Sequence, residues 1–238
     1  MPGYALRGVG LAAMIAVGAA TAAAVLEGLW PLASAAIARE AAATEDAGLL
    51  DTAAAGDILV SLVAFFLLLV AATLVVVWLY RARRNLDKLG TAEGAMGPGW
   101  AIGGWFIPFA NFVIPFRVTS AVARGSLPGS AWLTATLWGW WLSWVAATAL
   151  ERIVSSVDDR RYEALPAPAE NASDFADYVA YHEGRFVLIL PIAVLFAAAG
   201  LLLIMLIRDV SRGQEERLGA APAEPIMPGM AVSAPPPT

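Results

Sequence analysis

Cysteine is absent from this sequence, which excludes disulfides and thiolate metal sites. There is one histidine, His182, so a multi-histidine metal centre cannot form within one chain. Lysine is almost missing: only Lys88 stands among the 15 basic residues, and this arginine bias with heavy alanine use points to a GC-rich bacterial genome. Charge as a whole is scarce, at 15% of residues, where a soluble domain carries about a quarter. The net charge of -5 is no nucleic-acid footprint, and no nucleic-acid partner is expected. Catalytic motifs are missing too. No Gly-x-Ser-x-Gly and no phosphate-binding Gly-Lys-Ser/Thr occurs, and the acids Asp158 and Asp159 are adjacent, so they point apart on a helix or a strand. Neither an enzymatic activity nor a cofactor or metal is expected.

What the chain has instead is apolar length. It is 59% hydrophobic with a mean hydropathy of +0.68. Four runs without an ionisable residue, 8–26, 58–80, 125–150 and 186–207, are near or above the ~20 residues that a bilayer core requires. The third of these is rich in tryptophan. The fold expected is an all-α integral membrane protein with four transmembrane helices, both termini cytoplasmic, in a bacterial plasma membrane. A cleaved signal peptide is the alternative for the first run, with Ala33-Ser-Ala35 as a small-residue site. Its 19 apolar residues exceed the usual h-region of about 7–15.

A fifth uncharged stretch, GPGWAIGGWFIPFANFVIPF at 97–116, is long enough to cross but carries Gly97, Gly99, Gly103, Gly104, Pro108 and Pro115. Proline removes a donor and breaks the helical ladder, and each glycine disfavours helix by about 1 kcal/mol. Freed backbone groups are not tolerated bare in lipid. The stretch is therefore read as a re-entrant or interfacial hairpin. Arginine and lysine counts agree: without a fifth crossing, ten basic residues fall on one side and five on the other, against nine and six with it. The richer side is cytoplasmic.

The organisation expected is a first helix with an acidic outer loop over 1–56, a membrane core over 57–210, and a Pro/Ala-rich disordered tail over 211–238. The outer loops hold 14 acidic and 5 basic residues and are read as solvated. Asn171 with Asp174 has the spacing of a helix cap, and Gly90 that of a helix end. His182 is read as an interface residue. Small residues recur every four positions at Ala12, Ala16, Ala20 and Ala24, and at Ala135, Gly139, Ser143 and Ala147, which lets helices approach closely in lipid. Trp138, Trp140, Trp141 and Trp144 fall on the other side of their helix, where they either pack against the hairpin or face lipid.

Two sets of residues follow as candidate sites. Trp100, Trp105, Pro108, Asn111 and Pro115 form a candidate binding hairpin, because interrupted apolar segments mark substrate sites in many transporters. Arg81, Arg83, Arg84, Lys88 and Arg117 are candidate contacts to anionic headgroups, each worth about 1 kcal/mol near the surface. The partners expected are the lipid bilayer and either another membrane protein or a second copy of the chain.

The residues WLYRARRNLDKLG at 78–90, followed by GWAIGGWFIPFANFVIPFR at 99–117, resemble the core signature of a bacterial, mainly actinobacterial, membrane family, domain of unknown function 4328. The resemblance covers roughly 58–207 and leaves out the first helix and the tail. It implies a multi-span membrane protein and supplies no activity. The expected function is thus a non-enzymatic scaffold or accessory subunit, with a lipid-binding or small-molecule-binding protein, a transporter or channel when oligomeric, as the alternative.

Overall fold

Alanine dominates 12–55, and alanine is the best helix former. Accordingly α1 (Arg7–Thr44) runs unbroken through Pro31, and α2 (Ala47–Leu89) follows after two residues in a computed structural model that describes residues 3–219. Glu45 turns the chain with φ 52°, and the Asp46 carboxylate accepts from the Gly48 N–H at 2.9 Å, capping α2. This corrects the expected outer loop. Four of its six acids, Glu27, Glu40, Asp51 and Asp57, lie on the two helices, Glu45 and Asp46 make the turn between them, and the boundary at 56/57 falls inside α2.

The remaining elements are α3 (Trp100–Gly103), a 3-10 turn at Ala110–Phe112, α4 (Ile114–Ser126), α5 (Leu133–Glu163) and α6 (Ala172–Gly219). No strand occurs among the described residues. α2 ends at Gly90, whose φ of 66° suits glycine and whose N–H donates to Leu86 O. α6 starts at the expected cap: Asn171 Oδ1 accepts from the N–H groups of Ser173 and Asp174 at 3.0 and 3.1 Å. It continues through Pro191 to Gly219, so the expected tail boundary at 211 lies within a helix. The rest of that tail, 220–238, is outside the described residues.

Among the described residues three helices, α1, α2 and α6, are long and apolar enough to cross a membrane. Four were expected. α5 falls short because its four tryptophans, threonines and serine add little hydropathy, and Glu151 and Arg152 follow directly. The three long helices have 38, 43 and 48 residues. At 1.5 Å per residue they reach about 57, 64 and 72 Å, well beyond a ~30 Å hydrocarbon core.

The helices pack antiparallel in chain order, with α1 between α2 and α6 and with α5 on the other side of α6. Small residues set the α1–α6 approach. A Cβ added at Gly28 would collide with Ala193 Cβ, one at Gly200 with Thr21 Oγ1, and one at Gly10 would lie 2.8 Å from Ser211 Oγ. On α5, a Cβ at Gly139 would lie 3.1 Å from a Leu202 methyl. The main core runs along these seams through Val17, Val75, Trp78, Leu137, Trp140 and Leu206. A second, smaller core of Ala38, Ala41, Leu50 and Phe175 joins the far extensions of α1, α2 and α6.

One end of the bundle gathers Tyr4, Asn85 and Gln214; the other gathers Asp57, Asp158 and Arg185. The stretch 90–127 both leaves from and returns to the Gln214 end. Gly125 abuts Leu86, with a Cβ there 2.9 Å from a leucine methyl, and Gly213 abuts Ser126 O.

Candidate functional site

Between those anchor points the hairpin climbs the side of the bundle. Trp105 meets Trp144 edge-on with ring centroids 5.9 Å apart. Trp144 stands 11 residues beyond Leu133, about 16 Å up α5. α4 then brings the chain back down, with Phe116 against Trp138 and Trp141 at 4.5 and 5.9 Å. The tryptophans of α5 thus form the wall on which the hairpin rests.

The hairpin satisfies much of its own backbone. Short turns take the N–H groups of residues 100–106 and 110–113. Ala110 N–H reaches Pro108 O at 2.8 Å across Phe109, whose φ is 63°. That is a γ-turn of the rare positive-φ kind, and strain of this sort costs on the order of 1–3 kcal/mol. The tip is bare: Phe106 is 77% exposed and Phe109 87%, beside exposed Ile107, Phe112 and Val113.

Of the candidate hairpin residues, Pro115 is buried at the first turn of α4, where a missing N–H costs no helical bond. Trp100 and Pro108 are exposed, while Trp105 and Asn111 are half-buried. Trp105 Nε1 and Asn111 Oδ1 are each buried without a hydrogen-bond partner, one a donor and the other an acceptor.

The candidate headgroup contacts divide. Arg84, Lys88 and Arg117 are exposed and Arg81 is half-exposed. Arg83 departs from the expectation: its side chain is 6% exposed and its guanidinium is committed inside the protein. Nε donates to Met96 O at 2.6 Å and Nη1 to Asp87 at 2.9 Å, tying α2 to the loop that leads into the hairpin.

Two clusters escape a reading of the sequence. At the hairpin's end of the bundle, Gln214 is fully buried. Its Nε2 donates to Ser126 Oγ at 2.8 Å and to Ala82 O at 3.0 Å, and its Oε1 accepts from Asn85 Nδ2 at 3.0 Å. Asn85 in turn holds both backbone groups of Tyr4, at 2.8 and 2.9 Å. Trp78 Nε1 donates to Ser211 Oγ at 2.9 Å one turn away. Four segments of chain meet in this network. The signal available in the sequence was two amides standing among the charged residues of helix ends, Asn85 in RARRNLDKL and Gln214 in SRGQEERL.

At the opposite end Arg185 bridges two carboxylates, Asp57 at 2.7 Å and Asp158 at 3.0 Å, joining α2, α5 and α6. Its guanidinium carbon lies 5.5 Å from the Tyr181 ring centre. These acids were expected to be solvated, yet their side chains are 21% and 15% exposed. His182, expected at an interface, is 2% exposed with Nδ1 unpartnered. It lies outside the apolar stretch 186–207, and burial pushes its pKa down, which leaves the imidazole neutral at pH 7.

Over the described residues, fold and site together define an all-helical chain with three helices that could span a membrane and an aromatic hairpin braced on a further long helix. The chain belongs to the family described as Domain of unknown function (DUF4328), whose pattern matches residues 41–212. The match takes in the hairpin, its tryptophan wall and both ion and amide clusters except Tyr4 and Gln214, and it leaves out most of α1. No curated protein and no solved structure matches the chain.

Proposed function

We propose that the protein is an integral protein of a bacterial plasma membrane, crossing it four times with both chain ends in the cytoplasm, and that it serves as a non-enzymatic scaffold or accessory subunit. The fourth crossing is α5. Its support is register: α5 runs antiparallel along α6, with Gly139 beside Leu202 and Arg161 beside Gly184, so it accompanies the apolar stretch of α6 from end to end. Tryptophan-rich helix is acceptable at that depth because the hairpin and α6 cover much of it.

The observation that carries the scaffold reading is where the polar and apolar groups sit. Several buried polar side chains tie separate segments of the chain together, as with Gln214, Asn85, Arg83, Trp78 and Arg185. Apolar groups are bare on the hairpin tip and along α2, where Ile58, Leu59, Leu62, Phe65, Phe66 and Leu69 are all exposed. In lipid, such faces bind acyl chains or another helix, and packing rather than water release drives the latter. Tagged protein purified in mild detergent at native expression is expected to carry a partner protein or a second copy, which Phe106→Ser with Phe109→Ser weakens. Recovery of the bait alone, without self-association, would count against the scaffold.

Trp105 Nε1 and Asn111 Oδ1 favour a second reading, in which the hairpin holds a small polar ligand. Ligand binding or flux unaltered by Asn111→Leu and Arg117→Ala would remove it.

A further inference from the structure

A cavity of about 470 Å³ opens at the Gln214 end between the 91–95 turn and the carboxyl end of α4. Its walls include Thr91, Glu93, Gly94, Arg124, Gly125 and Arg217. We propose that this cavity binds a phosphate-bearing anion, gripped by the Arg124 and Arg217 guanidinium groups with the Thr91 hydroxyl.

Four features support it. First, the two arginines come from different helices, and among the described residues neither forms an ion pair. Second, Arg217 is already oriented: its Nη1 donates to Gly125 O at 2.6 Å, which leaves the other donors of its planar fork for a ligand. That bond also offsets one carbonyl at the negative end of α4, which would otherwise oppose an anion. Third, Thr91 Oγ1 is buried without a partner in the cavity wall. Fourth, the N–H groups of Glu93 and Gly94 bond to no other backbone group among the described residues. Forked guanidinium groups with a hydroxyl and free amides suit a tetrahedral oxyanion. A volume within the usual range of ligand pockets, about 300–1,000 Å³, leaves room for a substituent on the phosphate. That substituent is either the glycerol of an anionic phospholipid or the organic part of a soluble phosphate ester. Glu93 is the one carboxylate in the wall, and its charge weakens the site.

The test uses the full chain in nanodiscs. One arm titrates inorganic phosphate into neutral phosphatidylcholine discs and follows binding with radiolabel. The other measures, by native mass spectrometry, the phosphatidylglycerol retained from mixed lipid. Saturable binding in either arm is expected, weakened roughly tenfold by Arg124→Gln and several-fold by Thr91→Val, strengthened by Glu93→Gln, and, in the phosphate arm, unmoved by Arg84→Gln with Lys88→Gln. Arg124 is exposed, so its loss leaves the fold intact. Binding in the phosphate arm identifies a soluble ester; binding in the phosphatidylglycerol arm alone identifies a lipid. Absence of saturable binding in both arms would overturn the proposal. So would binding that follows Arg84 and Lys88 but ignores Arg124 and Thr91, since that is diffuse surface attraction.

Discussion

Replacing Gln214 with leucine removes the side chain that joins α6 to α2 and α4 while keeping a similar volume. Three hydrogen bonds disappear, to Ala82 O, Ser126 Oγ and Asn85 Nδ2. The groups left behind are not all orphaned: Ser126 Oγ still donates to Val122 O and Asn85 still holds Tyr4. A net hydrogen bond is worth about 1 kcal/mol in soluble proteins and about 0.6 between transmembrane helices. Three such bonds give about 2–3 kcal/mol. At about 2–4 °C per kcal/mol for a domain of this size, the midpoint of thermal unfolding in detergent should fall by about 4–12 °C. Asn85→Leu should cost a comparable amount, and the double variant less than the sum, because the two amides share a bond. Thr73→Leu, at an exposed position on α2, should stay within about 0.5 kcal/mol of the parent. A Gln214→Leu protein as stable as the parent, or strict additivity with Asn85→Leu, would refute the view that this network fastens the end of the bundle.

Two further perturbations separate the other seams. Arg185→Met leaves Asp57 and Asp158 half-buried without their cation and should cost about 3–5 kcal/mol, read as a lower unfolding midpoint. Adding Asp57→Asn and Asp158→Asn should recover much of that loss, and failure to recover any would contradict the clamp. Gly200→Ala should destabilise, since its Cβ collides with Thr21 Oγ1, whereas Gly18→Ala, with its nearest neighbour at 3.9 Å, should be neutral or raise stability through helix propensity. Equal effects at the two glycines would refute the packing assigned to α1.

Local signals were legible in the sequence; distant pairings were not. Gly90 and the Asn171–Asp174 pair mark helix ends because capping acts within a few residues. The break at 97–116 was visible because glycine and proline impose it locally; helical periodicity separated the tryptophans of α5 from its small-residue face but left open whether they meet the hairpin or lipid, which the contacts of Trp144 with Trp105 and of Trp138 with Phe116 decide. The acidic segment 27–57 misled because charge signals a polar environment and not the absence of helix. Alanine propensity carried α1 and α2 through it. α5 stands apart in another way: it lacks charge over 133–150 like the other three, but tryptophan is large without being strongly apolar, so its hydropathy falls below theirs. Asp57 and Arg185 lie 128 positions apart, and Asn85 and Gln214 129, so no spacing rule connects them. Their pairing depends on helix lengths and register, which only the assembled bundle fixes.

The account rests on the hairpin returning to the side it left, so that α5 carries the chain across. The absence of cysteine makes this directly measurable. Ser126 and Ser211, natural choices from the sequence, are 1% and 7% exposed and would label poorly. Lys88, Ala131 and Ser155 are exposed and flank the hairpin and the far part of α5. In intact spheroplasts a membrane-impermeant maleimide should tag Ser155→Cys alone, with Lys88→Cys and Ala131→Cys reacting only after lysis. Tagging of Ala131→Cys from outside while Lys88→Cys stays protected would mean that the hairpin crosses, and would contradict the account.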